Sequence, residues 1–280
     1  MNPIGIMQGR LSPPRDGRIQ SFPVHTWRNE FFKAQEAGLA CIEWIYEYET
    51  ESENPLRTPE GIHEIKKLIQ KSGVQVWSIC ADHYMTQHLI LSDGRSQPKV
   101  VEHLKGLISR ANALQVRYMV LPFVDASSLK SPEALESLVI ILKGLLPLLK
   151  EKKVELHLET DLSPQTLLKL LERVSFQWIK MNYDIGNAAS LGHDPSEELS
   201  LLGSWLGSVH VKDRLLGGGT VLLGSGHADF PTCFRLIQGA GFQGPFILQA
   251  ARNLEVGEME LAKQNRQFVE RHLGFVMSRT

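Results

Sequence analysis

Along the 280 residues, short apolar runs alternate with longer stretches of helical periodicity. The runs are NPIGIM, ACIEWIY, VQVWSICA, VRYMVLPF, VELHLET, WIKMNYD, LGSVHVK and PFILQA. Each reads as a strand, and their starts lie roughly 25 to 42 residues apart, the spacing of successive βα units. The helices between them carry start signals: Thr58-Pro59-Glu60, Ser131-Pro132-Glu133 and Ser163-Pro164-Gln165 each set a hydroxyl N-cap before a proline at the first helical position. Gly38 and Gly73 follow helical segments as stop residues.

Eight strand–helix repeats with no Pro/Ser/Gly-rich linker predict an α/β fold, a (β/α)8 TIM barrel forming a single domain over residues 1–280. A doubly wound sheet usually has fewer strands, and the first βα turn lacks the G-x-G-x-x-G phosphate loop. The segment from about Pro132 to Lys150 is apolar over most of its circumference, so it either packs a wide stripe on the barrel or also meets a second subunit of a homo-oligomer.

Composition narrows the partners. Thirty basic against thirty-one acidic residues leave a net charge of −1, too little field to gather nucleic acid or an anionic membrane, so a small molecule is the expected partner. The longest apolar stretch, LVIILKGLLPLLK, is broken by Lys143 and Pro147 and is too short for a bilayer. The N-terminus has no secretory pattern, and the three dispersed cysteines, Cys41, Cys80 and Cys233, read as reduced thiols of a cytoplasmic protein.

In such a barrel, functional groups project from the C-terminal ends of the strands. Strand five ends near Glu159, strand six at Asp184, strand seven near His210 and strand eight at Gln249. Taken singly, each has a structural alternative as a loop cap or a hydrogen-bonded core residue. Together, two carboxylates, an imidazole and an amide oxygen on adjacent strands can converge on one divalent cation. An oxygen-rich set with one histidine suits Mn2+, Mg2+ or Co2+, with Zn2+ possible.

The stretches GIMQGRLSP, GLACIEW, LHLETD, NYDIGNAASLGHDP, VHVKDR and LLGSGHADF resemble the xylose-isomerase-like TIM-barrel family, and within it the sugar-phosphate isomerases and epimerases of the hexulose-6-phosphate isomerase kind. The resemblance implies a metal-dependent carbohydrate enzyme whose cation is held by Glu159, Asp184, His210 and Gln249. In the epimerase branch the fourth ligand is usually glutamate, so Gln249 departs from that pattern. Epimerisation draws on two opposed carboxylates, whereas aldose–ketose isomerisation through an enediolate needs one base. The expected activity is therefore isomerisation of a sugar or sugar phosphate. A 3-epimerase, a dehydratase of a keto-polyol and a non-catalytic sugar-binding barrel are the alternatives.

Glu159 and Lys212 are the expected catalytic pair, and Glu43, His83, Asn187, Asp213 and Arg252 the expected substrate-binding set. For several of these a structural role competes. Lys212 and Asp213 either meet the substrate or form an ion pair behind the site, and Asp82 and His83 either line the pocket or bond to one another. Trp44 is a sugar platform or ordinary packing, and His157 an orienting group or an interior one. Arg10 and Arg252 are cations for an anionic substrate or solvated surface groups. The glycine-rich segment LLGGGTVLLGSG holds a phosphate on its N–H groups or acts as a lid.

Overall fold

A computed structural model describes residues 2–174 and 177–274. Eight parallel strands close into a barrel: β1 (Ile4–Met7), β2 (Cys41–Ile45), β3 (Gln75–Cys80), β4 (Tyr118–Phe123), β5 (Glu155–Thr160), β6 (Ile179–Asp184), β7 (Leu206–Val211) and, closing against β1, a strand at Phe246–Leu248. Between β7 and that last strand lies an antiparallel hairpin, β8 (Asp213–Arg214) with β9 (Thr220–Val221), so the closing strand is β10. All eight sequence runs fall on barrel strands. A barrel strand is covered by side chains inside and helices outside, which is why β4 is buried at all six positions.

The outer ring comprises α1 (Trp27–Glu36), α2 (Pro59–Ser72), α3 (His83–Thr86), α4 (Pro98–Leu114), α5 (Pro132–Lys152), α6 (Pro164–Leu171), α7 (Ile185–Leu191), α8 (Pro195–Leu202), α9 (Phe230–Gly239) and α10 (Glu258–His272). The three hydroxyl–proline starts cap α2, α5 and α6, with Thr58, Ser131 and Ser163 accepting from the N–H groups of Gly61, Ala134 and Thr166. Gly38 and Gly73 both take the left-handed conformation after their helices. Helix α5 buries Leu138, Val139, Ile141, Leu142, Leu145 and Leu149 against the barrel and exposes Ile140, so a wide core-facing stripe accounts for its apolar character. No helix among the described residues is long and apolar enough to cross a membrane. Cys41, Cys80 and Cys233 are buried and unpaired.

Two register shifts interrupt the ladders, one between Cys41 and Glu43 and one between Met181 and Asn182. Such irregularities re-aim side chains near barrel mouths. Glu43 and Asn182 turn out to flank the same histidine.

Candidate metal centre and active site

The site is built at the C-terminal ends of β5, β6, β7 and β10. One ligand atom from each of Glu159, Asp184 and His210 lies within 4.8 Å of the other two, and all three residues are buried. Asp184 ends β6 and caps α7, its Oδ1 accepting from the Asn187 N–H at 2.9 Å, while its Oδ2 lies 2.7 Å from Lys212 Nζ. The D-x-G-N sequence has a steric basis, because a Cβ on Gly186 would come within 2.9 Å of Lys212. Asn187 bridges the set: its Nδ2 donates to Glu159 Oε1 at 2.7 Å, and its Oδ1 accepts from Lys212 at 3.2 Å and Arg214 at 2.9 Å.

His210 is fixed from behind. Its Nε2 lies 2.6 Å from Glu43 Oε1, and both side chains are fully buried. Its Nδ1 faces Glu159 Oε2 at 3.7 Å, Asp184 Oδ2 at 3.8 Å and the Asn182 amide at 3.2 Å. A carboxylate on the far nitrogen of a histidine orients the ring and raises its basicity, the arrangement found behind metal-bound imidazoles. Asn182 is itself held through Ser208, whose hydroxyl donates to Asn182 Oδ1 at 2.6 Å and meets His157 Nδ1 at 2.9 Å. His157 stacks on Tyr118 with centroids 4.3 Å apart, so it is an interior group below the site.

The electrostatics are those of a cluster with an excess of carboxylates. Burial, reinforced by Asp184, lifts Glu159 to about 7 against the pull of His210 and Lys212. Burial also acts to raise Asp184, but Lys212 and His210 override it and hold the carboxyl well below its usual range. For His210, burial would lower the pKa, yet Glu43, Asp184 and Glu159 win and raise it to about 10. An excess of carboxylate charge around one imidazole is a balance that suits a cation.

Gln249 is the fourth expected ligand. It follows β10 directly, its N–H bonded to Val211 O, and its side-chain Nε2 donates to Gln20 Oε1 at 3.0 Å. Its Oε1 is buried without a partner. A buried carbonyl oxygen without a donor is costly in protein alone and suits a cation. Two carboxylates, one imidazole nitrogen and this oxygen therefore fit a hard divalent ion.

Glu159 opens into a cavity of about 400 Å³, lined also by Asn187, Lys212, Arg214, Gln249, Gln20, Asp82, Glu47, Arg10 and Arg18. Glu159, Lys212, Asn187 and Gln249 thus meet at one cavity, as the sequence predicts, and Arg10 and Asp82 join its walls. Four of the expected substrate-binding residues lie elsewhere. Glu43 is fully buried behind His210 and does not line the cavity. His83 is the first residue of α3 and points outward, stacked on His103 at 4.3 Å and 3.2 Å from Glu51. Asp213 is fully buried and accepts from the N–H groups of Gly224, Gly226 and Ala228 at 2.9, 2.8 and 3.1 Å. Arg252 donates to the carbonyls of Gly9, Ser12 and Ile19.

Within the glycine-rich segment Asp213 takes the N–H groups of Gly224 and Gly226 and Arg214 binds Gly218 O, while Gly219 and Thr220 line the cavity. Trp44 is ordinary packing, fully buried among Phe22, Trp27 and Phe31. Glu51, His83 and His103 also gather donor atoms. The two imidazoles are stacked within 14° of parallel and both face the Glu51 carboxylate, His83 Nδ1 at 3.2 Å and His103 Nε2 at 3.0 Å.

Among the cavity residues that sequence reasoning missed, with Arg18, Glu47 and Arg214, is Gln20. It lies in the long connection between β1 and α1, where no periodicity singles it out.

Comparison with known proteins agrees with this fold. The description "Xylose isomerase-like TIM barrel" matches residues 31–272. An L-ribulose-5-phosphate 3-epimerase UlaE of Salmonella paratyphi A is 33% identical over 73 residues, 26% of each chain. The same enzyme of Shigella flexneri serotype 5b is 25% identical over 188 residues, 65% of this chain and 66% of the other. The alignments thus span about a quarter and about two thirds of these curated relatives. Among solved structures, the IOLI protein with a binding zinc atom superposes with a TM-score of 0.76 at 14% identity, covering 99% of this chain and 100% of that one, a likeness of fold.

Proposed function

The chain belongs to the xylose isomerase-like TIM-barrel family, and from that footing we propose that it is a divalent-metal-dependent enzyme that moves a proton next to the carbonyl of a keto-sugar or its phosphate. The observation that carries this reading is the convergence of Glu159, Asp184 and His210, with Glu159 lining the same cavity as Gln249, whose side-chain oxygen is unpartnered. Glu159, Asp184, His210 and Gln249 would hold the ion, with Mn2+, Mg2+ or Co2+ the best match to the donors and Zn2+ next. When bound, such a cation polarises a carbonyl and its neighbouring hydroxyl and lowers the cost of an enediolate.

The chain's own residues supply the rest. Glu159 accepts and returns the proton, with Asn187 holding its Oε1 and leaving Oε2 as the reacting oxygen. Lys212, anchored by Asp184 and Asn187, offers an N–H at the cavity wall to a substrate oxygen. Asp82, Glu47, Arg18 and Arg10 provide donors and acceptors for sugar hydroxyls across the cavity.

One carboxylate base beside a neutral amide favours aldose–ketose isomerisation, in which one proton shuttles along a single face. A second reading is 3-epimerisation, favoured by the UlaE relatives and by Asp82, a further carboxylate lining the same cavity. Incubation of Mn2+-loaded protein with free and phosphorylated keto-sugars in deuterated water, followed by NMR, tests both. The expected result is solvent deuterium at one carbon beside the carbonyl and a loss of about 10² to 10⁴ in rate for Glu159→Gln. An aldose product marks the isomerase, and an inverted ketose the epimerase. Failure to bind any divalent ion, together with undiminished turnover by Glu159→Gln, would overturn the proposal.

A further inference from the structure

An amide ligand poses a problem that a carboxylate does not. Both ends of a glutamate can bind a cation, whereas a glutamine presents either an oxygen or an NH2 group, and only the oxygen binds. The site must therefore fix the rotation of the Gln249 amide.

The surroundings of Gln20 do this. Its Nε2 donates to Asp82 Oδ2 at 2.7 Å, and its Oε1 accepts from Arg10 Nη2 at 3.3 Å. Arg10 is held in turn, donating from Nε to Ala250 O at 3.0 Å and from Nη1 to Ile19 O. Arg10 has only donors to offer, so Gln20 must turn its oxygen toward the guanidinium and its NH2 group toward Asp82 Oδ2. Its Oε1 is then the atom that meets Gln249, which must answer with its NH2 group. The Gln249 oxygen is left on the other branch of its planar amide, buried and without a donor.

We infer that Gln20 is a positioning residue that locks the Gln249 amide with its oxygen toward the cation. The inference rests on Gln249 being the fourth ligand. It also makes Gln20 and Gln249 a matched pair. A glutamate at position 249 would set an anionic oxygen against Gln20 Oε1, so the polar partner that suits glutamine is unfavourable for glutamate.

A double-mutant cycle on Mn2+ affinity, measured by calorimetry and by electron paramagnetic resonance on the full-length protein, tests this. Gln20→Met keeps the side-chain length and removes the acceptor at a half-buried loop position, and thermal melting without metal checks the fold of each variant. The expected result is at least a five-fold weaker Mn2+ affinity for Gln20→Met, and no weakening when the same change is made in the Gln249→Glu background, where amide rotation has no meaning. Equal weakening in both backgrounds would reduce Gln20 to a general support of the loop and overturn the inference, as would unchanged affinity in the first. A parent protein that binds no Mn2+ would remove this inference and the metal-dependent function together. A parent that binds Mn2+ while Gln20→Met has no effect would remove the inference alone.

Discussion

Glu30 offers a test of how the mouth of the barrel is held. It lies in α1, is 1% exposed, and accepts from the N–H groups of Gly9 at 3.0 Å and Leu11 at 3.2 Å, stapling the start of the loop that carries Arg10 and Gln20. Burial raises its pKa from 4.5 to about 7, against the opposing hydrogen bonds from Gly9, Ser12 and Leu11 and the charge of Lys33. The folded chain thus binds a proton there that the unfolded chain has released. Between these two pKa values the native state holds more protons, so stability falls as pH rises, is greatest below 4.5 and has lost the full contribution above 7. The total is about 3 kcal/mol, of which roughly 2 to 3 kcal/mol falls between pH 5 and 8.

Glu30→Gln removes the titration. Its amide NH2 faces a backbone donor, which costs about 1 to 3 kcal/mol at every pH and leaves the slope unaffected. Urea unfolding of both proteins at pH 5 and pH 8 should show the stability difference moving toward the variant by roughly 2 to 3 kcal/mol, with distant titrations cancelling in the comparison. Parallel pH profiles would refute the reasoning, since they would mean that the fold does not hold the Glu30 proton.

Two further outcomes follow from the buried carboxylates. Glu43→Gln keeps an acceptor for His210 Nε2 but removes the charge behind the ring, and should weaken Mn2+ binding about 10- to 100-fold by calorimetry; unchanged affinity would place His210 outside the metal set. Asp213→Ala strips three charge-assisted bonds from the segment after β8, and should cost about 2 to 4 kcal/mol of local stability, because those exposed amides can rehydrate in part. Amide exchange at Gly224, Gly226 and Ala228 would then quicken by about 30- to 900-fold. Lost turnover with unchanged exchange would instead put Asp213 in contact with substrate.

The barrel was legible because its strands are buried on both faces and its helices announce themselves with Thr58-Pro59, Ser131-Pro132 and Ser163-Pro164. The cluster of Glu159, Asp184 and His210 was legible because a polar group at the end of an apolar strand has few other reasons to be there. Direction and partner were not. Asp82 and His83 are neighbours, but the turn into α3 sends the first to the cavity and the second out to Glu51 and His103. Asp213 and Arg252 carry charges suited to a sugar or phosphate, yet they spend them on backbone groups, a choice set by loops that no periodicity describes. Glu43 needed the register shift in β2 to be seen as the partner of His210.

The contact between Gln20 and Gln249 joins residues 229 positions apart, across the seam where β1 meets β10. Closing a loop of that length is among the costliest steps in the entropy of folding, and the last barrel strand is also the last to leave the ribosome. Glu159, Asp184 and His210 precede that strand in the chain, so Gln249 arrives only when the circle is shut. A cation at this site would then act late, as a fastener on a finished barrel, lengthening the lifetime of the native state without hastening its formation.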